Sequence, residues 1–321
     1  MRTEPQLTKE FSKDQGFETY LSLLNDSLHE AEKQLYKNYA EKYPTVHVIG
    51  VPRSGTTLVT QMLSSFLDIG YINNLIAAFW KAPLFGIELS KKLLGTHYTS
   101  NFSSSFGRTD SIYEPHEFGY FWNYHLSYND FQQKDISHEK NIDWKNLMLI
   151  LTNMTYAFKK PVLFKSFLVG FHAEHFHKIL PKSCFIYIRR NFINNAVSIY
   201  NLRKKMLGDV NLWASIKPKQ YEQLKHENIF NQITGQILYL ECEYLQQLKN
   251  VPESNKLIVS YEEVCNNPKD FLTAVKSMIE KQDVSCMIEG TSMPVFSNSE
   301  NVNTADAGII ESFQKSVNNF K

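Results

Sequence analysis

The chain has 321 residues, 43% of them hydrophobic and 21% charged, and its formal net charge is +1. That composition excludes a disordered chain, and the near balance of charge excludes a general attraction to nucleic acid or an anionic membrane, so any basic site must be local. Cys184, Cys242, Cys265 and Cys286 form no CxxC pair and no zinc-ligand spacing, residues 1–14 lack the apolar core of a signal peptide, and no stretch reaches about 18 uninterrupted apolar residues. A reducing cytoplasm is the expected compartment, with no membrane span and no nucleic-acid partner; oligomeric state is left open, a homo-oligomer included.

In chain order, Phe17, Tyr20, Leu21, Leu24, Leu28, Ala31 and Leu35 recur at helical spacing. They predict one or two amphipathic helices over residues 17–43, ended by Pro44. Val46 to Gly50 is a short β-branched run. It enters a glycine-containing turn and is followed by the helical pattern Leu58, Met62, Leu63, Phe66. Further strands are expected at Pro161–Phe164, Cys184–Ile188 and Lys256–Tyr261. Helices are expected at Asp143–Phe158, His172–Leu180, Phe192–Met206 and Ile229–Leu248, and another with Asn267 as N-cap and Pro268 at its first position.

This alternation predicts an α/β chain with a central, mainly parallel sheet flanked by helices in three layers. Residues 1–44 read as a helical extension, and residues 45–321 as one domain with an insert at about 69–128. The Ser- and Asn-rich stretches at 99–105 and 297–304 read as loops.

The sharpest motif is Gly50-Val-Pro-Arg-Ser-Gly-Thr-Thr57. A strand, a glycine-spaced loop and a helix present backbone N–H groups and a helix N-terminus to an anion, as in P-loop folds. Gly50 and Gly55 have the P-loop separation, but Thr56 stands where an NTPase carries lysine, and the cation sits at Arg53. A single 5'-phosphate or phosphosulfate suits this loop better than the β- and γ-phosphates of ATP.

The string VPRSGTTL resembles the 5'-phosphosulfate loop of the sulfotransferases that use 3'-phosphoadenosine 5'-phosphosulfate (PAPS). Its arginine form is closer to the bacterial, Golgi and tyrosylprotein branches than to the cytosolic one. The resemblance implies that Arg53, Ser54, Gly55, Thr56 and Thr57 wrap the phosphosulfate, with Arg53 near the transferring group. IRRNFINNAVS is similar to the family's 3'-phosphate motif, which points to Arg190 and Ser198. Arg189 is the alternative to Arg190, since successive strand residues face opposite sides. Lys165, at the end of the second long strand, would sit at the sulfate and stabilise charge during in-line transfer. Residues 46–280 follow the family order, and residues 45–321 would be the sulfotransferase domain. PAPS is then the co-substrate and PAP the product, with no metal expected.

An acceptor hydroxyl needs a base. The cytosolic branch has a histidine two residues after its lysine, whereas here that position is Phe167. Other branches use a glutamate after the P-loop helix, and the candidates are Glu117 and His116, ahead of Glu114, with the choice among the three left open. The insert is rich in Phe, Tyr, Trp and His, which suits a carbohydrate acceptor, with a small hydroxylated molecule or lipid next. Two alternatives stay open: a nucleotide-dependent phosphotransferase, and a catalytically inactive nucleotide-binding protein of the same fold. Phe296 to Ser299 is a candidate lid over the nucleotide.

Overall fold

A computed structural model of the chain describes residues 7–95, 99–290, 294–296 and 306–320. Its sheet has the order β2-β3-β1-β4-β5, built from Thr45–Gly50 (β1), Gly70–Tyr71 (β2), Val162–Lys165 (β3), Cys184–Arg189 (β4) and Lys256–Ser260 (β5). All neighbours pair in parallel. Strands covered on both faces must be apolar along their whole length, which is why β1, β3 and β4 were legible as continuous runs. β2 was not expected. Two residues give no periodicity, and Gly70 is there because an added Cβ would lie 2.6 Å from Cγ of Phe158.

The helices, in order, are α1 (Gln15–Lys33), α2 (Thr56–Phe66), α3 (Asn74–Ala77), α4 (Pro83–Leu94), α5 (Gly119–His125), α6 (Trp144–Phe158) and α7 (Ala173–Ile179). They continue with α8 (Phe192–Leu202), α9 (Tyr221–Leu224), α10 (Ile229–Leu248), α11 (Tyr261–Asn266), α12 (Pro268–Glu280) and α13 (Ala307–Ser316). Alternation along the strands divides the core. Val46, Val48, Ile186 and Ile188 pack with α2, α11 and α12, whereas Ile49, Phe164, Phe185 and Tyr187 pack with α6, α7, α8 and α10. The result is three layers, helix, sheet and helix. No helix among the described residues is long and apolar enough to cross a membrane.

β1 also carries His47, fully buried between the rings of Phe164 and Phe185, each 5.4 Å away. Its Nε2 meets Thr45 Oγ1 at 2.9 Å. Burial pushes its pKa down to about 3, so it is a neutral aromatic filler at ordinary pH.

Three expectations need correcting. The N-terminal helix stops at Lys33 rather than running towards Tyr43. Tertiary contacts hold the following segment: Asn153 bonds both backbone groups of Lys37, and the Tyr39 ring stacks on Tyr156 at 3.9 Å. The helix also turns a different stripe inward, with Asn25 and Glu32 buried and Phe17 and Tyr20 exposed. Glu32 accepts from the N–H groups of Leu84 and Phe85, serving as the cap that Ala82 cannot provide for α4. Second, part of the insert's aromatic set is core: Phe118, Phe121 and Trp122 are at most 1% exposed, whereas Tyr124 is 45% exposed. Third, α12 begins at Pro268, but the Asn267 side chain makes no capping bond.

Candidate active site

The strand register delivers the motifs to one edge. Gly50 pairs with Ile188, Lys165 with Val48, and Arg189 with Ser260. Loop 50–57, Lys165, Arg190 and Tyr261 therefore gather at the C-terminal ends of the strands, beside the point where the sheet order changes direction from β1. Open α/β sheets bind ligands in that crevice.

The loop has little room for alternatives. A Cβ on Gly50 would lie 2.8 Å from the Ile188 carbonyl oxygen, and one on Gly55, at φ 101°, would strike the Tyr261 ring at 2.2 Å. Arg53 is held at φ 67°, an unfavourable region for a residue with a side chain. Two bonds fix that bend: Asn195 Nδ2 donates to the Pro52 carbonyl (2.6 Å), and Arg190 Nη1 donates to the Arg53 carbonyl (2.9 Å). Local strain held by surrounding structure is common where a loop must meet a ligand. Ser54 is fully buried, and its Oγ has no hydrogen-bond partner among the described residues. The N-cap Gly55 has no side chain to satisfy the first N–H groups of α2, which therefore face the crevice.

The Arg53 side chain turns back into the site, donating from Nε to Ser198 Oγ at 3.1 Å, with its guanidinium over the Phe106 ring at 5.3 Å. Burial, then the neighbouring Arg190, lowers its pKa to about 10, so it stays cationic at neutral pH. Arg190 and Arg189 diverge. Arg190 packs over Tyr261 at 4.8 Å, while Arg189 pairs with Glu241 on α10 at 2.6 Å. Burial lowers the pKa of Arg190 as well.

Lys165 is 4% exposed and lies 2.7 Å from Thr57 Oγ1 and 2.9 Å from Glu117 Oε1. Above this group, the turn Ser105–Arg108 brings Gly107 close. A Cβ there would sit 3.5 Å from Thr57 Oγ1, 3.8 Å from Arg53 Nη1 and 4.0 Å from Lys165 Nζ.

The three candidate bases occupy different settings. Glu117 joins Lys165 and lines the cavity. His116 accepts the Phe118 N–H at Nδ1 (2.8 Å), so its neutral ring carries the proton on Nε2 and presents a donor. Desolvation depresses its pKa to about 4 although part of the residue is exposed, and the Nδ1 bond rather than the crowding decides its role. Glu114 is buried and engaged by Ser100 Oγ, Asn101 N–H and Gln61 Nε2, anchoring the 99–106 loop.

A cavity of about 1000 Å³ runs past Arg53, Thr56, Thr57, Gly107, Glu117 and Arg190. Lys165 and Ser198 stand one hydrogen bond behind that wall, through Thr57 and Arg53. Phe296, from the expected lid, lines it too and packs on Phe102 at 5.2 Å; Ser297, Asn298 and Ser299 lie outside the described residues. Tyr261, Asn195, Phe106 and Gly107 were not foreseen as site residues. Tyr261 had been read only as a strand end, and nothing in the local sequence links Gly107 to a loop fifty positions earlier. Among the described residues no group of three or more His, Cys, Asp or Glu could hold a metal ion.

Residues 44–281 match the family model described as the sulfotransferase family. The chain belongs to that family. Two solved sulfotransferases share the fold. One is from Mycobacterium tuberculosis H37Rv, at 14% identity over 98% of this chain and 88% of that one, with a TM-score of 0.51. The other, from Mycobacterium avium, is 14% identical over 99% of this chain and 79% of that one, with a TM-score of 0.50. At this identity the two structures bear on the fold alone. No curated protein matches the sequence closely enough to count as a relative. The sulfotransferase family match covers every motif of the site, from Gly50 to Tyr261.

Proposed function

We propose that the chain transfers a sulfuryl group from PAPS to an acceptor hydroxyl and releases PAP. The observation that carries this reading is that loop 50–57 and Arg190 line one cavity, with Ser198 directly behind it on the Arg53 side chain. A volume of about 1000 Å³ stands at the top of the range of about 300–1,000 Å³ for single-ligand pockets, which favours a nucleotide together with an acceptor. The residues fit a bisphosphorylated adenosine. Ser54 offers a buried hydroxyl without a protein partner, and α2 offers its N-terminal N–H groups.

In this reading PAPS supplies the sulfuryl group. Ser54, Gly55, Thr56 and Thr57 hold the 5'-phosphosulfate, and Arg190 and Ser198 hold the 3'-phosphate. Arg190 is preferred to Arg189 because the latter turns away to Glu241. Arg53 and Lys165 stabilise negative charge on the sulfuryl and bridging oxygens, where fixed cations in a dry site act most strongly. Glu117 takes the proton from the acceptor hydroxyl as the oxygen–sulfur bond forms. The 5'-phosphate oxygen leaves with its electron pair beside Lys165. His116, next to Glu117 in the chain, serves as a hydrogen-bond donor, and Glu114 as the anchor of its loop.

The domain reading follows: residues 45–321 form the transferase, residues 1–44 its helical extension, and the 69–128 insert contributes Phe106, Gly107 and Glu117 to the acceptor side. A carbohydrate or glycoconjugate stays within this reading, although Phe118, Phe121 and Trp122, three of the aromatics that suggested it, are core. The cytoplasm is the proposed compartment. The direct test is transfer of labelled sulfate from PAPS to an acceptor in the presence of EDTA. Labelled product supports the reading, whereas phosphate transfer from ATP that requires magnesium would replace it with a phosphotransferase. Tight PAP binding with PAPS left intact across a broad acceptor panel would identify an inactive binding protein.

A further inference from the structure

We infer that the acceptor is an alcohol or phenol carried on an apolar body, recognised by a hydrophobic wall between α8 and the 126–134 segment; this rests on the sulfotransfer reading above. The wall begins at the transfer point. Ser198 on α8 touches Arg53, and Leu202 and Met206 follow it at four-residue steps, placing them on the same side as the chain leaves the helix. Phe106, stacked under the Arg53 guanidinium, packs with Leu202, Met206, Leu207 and Ala214. Phe131, Phe167 and Trp213 complete the lining. Phe167 is the residue two positions past Lys165, so an apolar ring stands near the site of chemistry.

Two of the charged groups on this side are engaged elsewhere, while Asn129 and Ser215 line its exposed edge. Asp130 pairs with Lys134 at 2.7 Å, and the Lys217 ammonium lies over the Tyr221 ring at 4.3 Å. A sugar carries hydroxyls around its whole rim, and each one buried here against carbon would lose its water without a replacement partner. An aryl or alkyl body loses nothing by the same burial.

The wall is also rigidly supported. At Arg203 the helix loosens into a π-turn, Arg203–Leu207, and Arg203 itself is fully buried. Its guanidinium donates to Gln232 at 2.8 Å and lies 4.8 Å from the Trp213 ring centre, and Gln236 in turn donates to the carbonyls of Ala214 and Ile216. Arg203 is therefore a positioning residue. It fixes Trp213 and the strap behind it without reaching the reacting atoms. π-turns recur at functional sites for this kind of re-aiming.

The test uses the full chain, PAPS, and paired acceptors: 2-naphthol and 1-octanol against methyl glucoside and a chito-oligosaccharide. The inference expects kcat/KM at least tenfold higher for the apolar pair. It also expects Phe131→Ser, a change at a partly exposed position that the fold tolerates, and Trp213→Ala to raise KM for 2-naphthol at least fivefold while PAP stabilises both variants as it does the parent. Arg203→Gln should act like Trp213→Ala on KM. Calorimetric binding of 2-naphthol to nucleotide-free protein, weakened by Phe131→Ser, is a separate readout that does not depend on sulfotransfer. Preference for the glycosides, or naphthol binding indifferent to Phe131→Ser, overturns the inference while leaving sulfotransfer intact. Failure of PAP to bind would instead overturn the sulfotransfer reading, and the naphthol titration would still decide the apolar wall.

Discussion

Arg53 and Ser198 meet at 3.1 Å although they are 145 positions apart in sequence. One belongs to the loop after β1 and the other to the helix after β4, so this bond ties the two proposed anion-binding motifs together. Arg190 adds a second tie to the Arg53 carbonyl. The two arginines nevertheless have different duties in the proposed reaction. Arg53→Ala should lower kcat at least a hundredfold and leave PAP stabilisation largely intact, because its charge acts on the transferring group. Arg190→Ala should chiefly weaken PAP and PAPS. Steady-state kinetics with PAP titrations check the split, and equal damage to both properties in both variants would contradict it.

Glu117→Gln keeps the shape of the side chain and removes the base. Loss of a positioned general base costs about 10²–10⁴ in rate, so kcat should fall in that range with nucleotide binding retained. Glu114→Gln is expected to act on the fold instead. It weakens bonds to Ser100, Asn101 and Gln61 and should cost about 1–3 kcal/mol in urea unfolding, with a much smaller effect on kcat. A wild-type rate for Glu117→Gln would remove it from the mechanism.

Gly107 forms the ceiling over Thr57, Arg53 and Lys165. Its φ of 89° already disfavours any side chain, and a valine would project into the space where the sulfuryl group is expected. Gly107→Val should therefore reduce turnover at least a hundredfold, with PAP binding changed far less. Parent-like turnover in this variant would place the transfer point elsewhere.

His47 gives the fold an acid sensitivity. Its folded pKa is about 3, whereas an unfolded histidine titrates near pH 6.5. Above about pH 6.5 neither state is protonated and the contribution to stability is complete. Between 6.5 and 3 the unfolded chain gains a proton that the folded chain refuses, so stability falls with falling pH, by about 2 kcal/mol at pH 5 from this group alone. His47→Phe should show a shallower decline between pH 6.5 and 4 in denaturant titrations. Parallel profiles for the two proteins would mean that His47 titrates freely in the folded state.

The parts of the fold that rest on long apolar runs were legible in the sequence. β1, β3 and β4 are buried on both faces, and α10 runs over the residues its periodicity marked. The end of α1 was not legible, because Asn153 and Tyr156, more than a hundred positions away, hold the chain after Lys33 out of helix. Composition also misled in the insert. Phe118, Phe121 and Trp122 have the chemistry of a sugar platform and the location of a core. At the site, the strand–loop–helix turn at 50–57 could be read locally because its glycines and helix start lie within eight residues. The pairing of Lys165 with Glu117, the turn of Gly107 over the loop and the contact of Tyr261 with Gly55 depend on tertiary approach, for which neighbouring residues carry no signal. The order of Glu117 and His116 ahead of Glu114 had no contact behind it in four adjacent letters; the ion pair of Glu117 and the hydrogen bonds of His116 and Glu114 set the three apart.

In the proposed reaction, loop 50–57 and Arg190 hold opposite ends of one bisphosphorylated adenosine. Thermal unfolding of the wild-type chain and of Arg190→Ala, each with and without excess PAP, tests it most directly. At a hundredfold excess over Kd, a ligand confined to the folded state stabilises by about 2.7 kcal/mol, enough to raise the wild-type midpoint by several degrees. That rise is expected in EDTA, and most of it should be lost in Arg190→Ala. No shift with PAP, alongside a shift with ATP and magnesium, would contradict it.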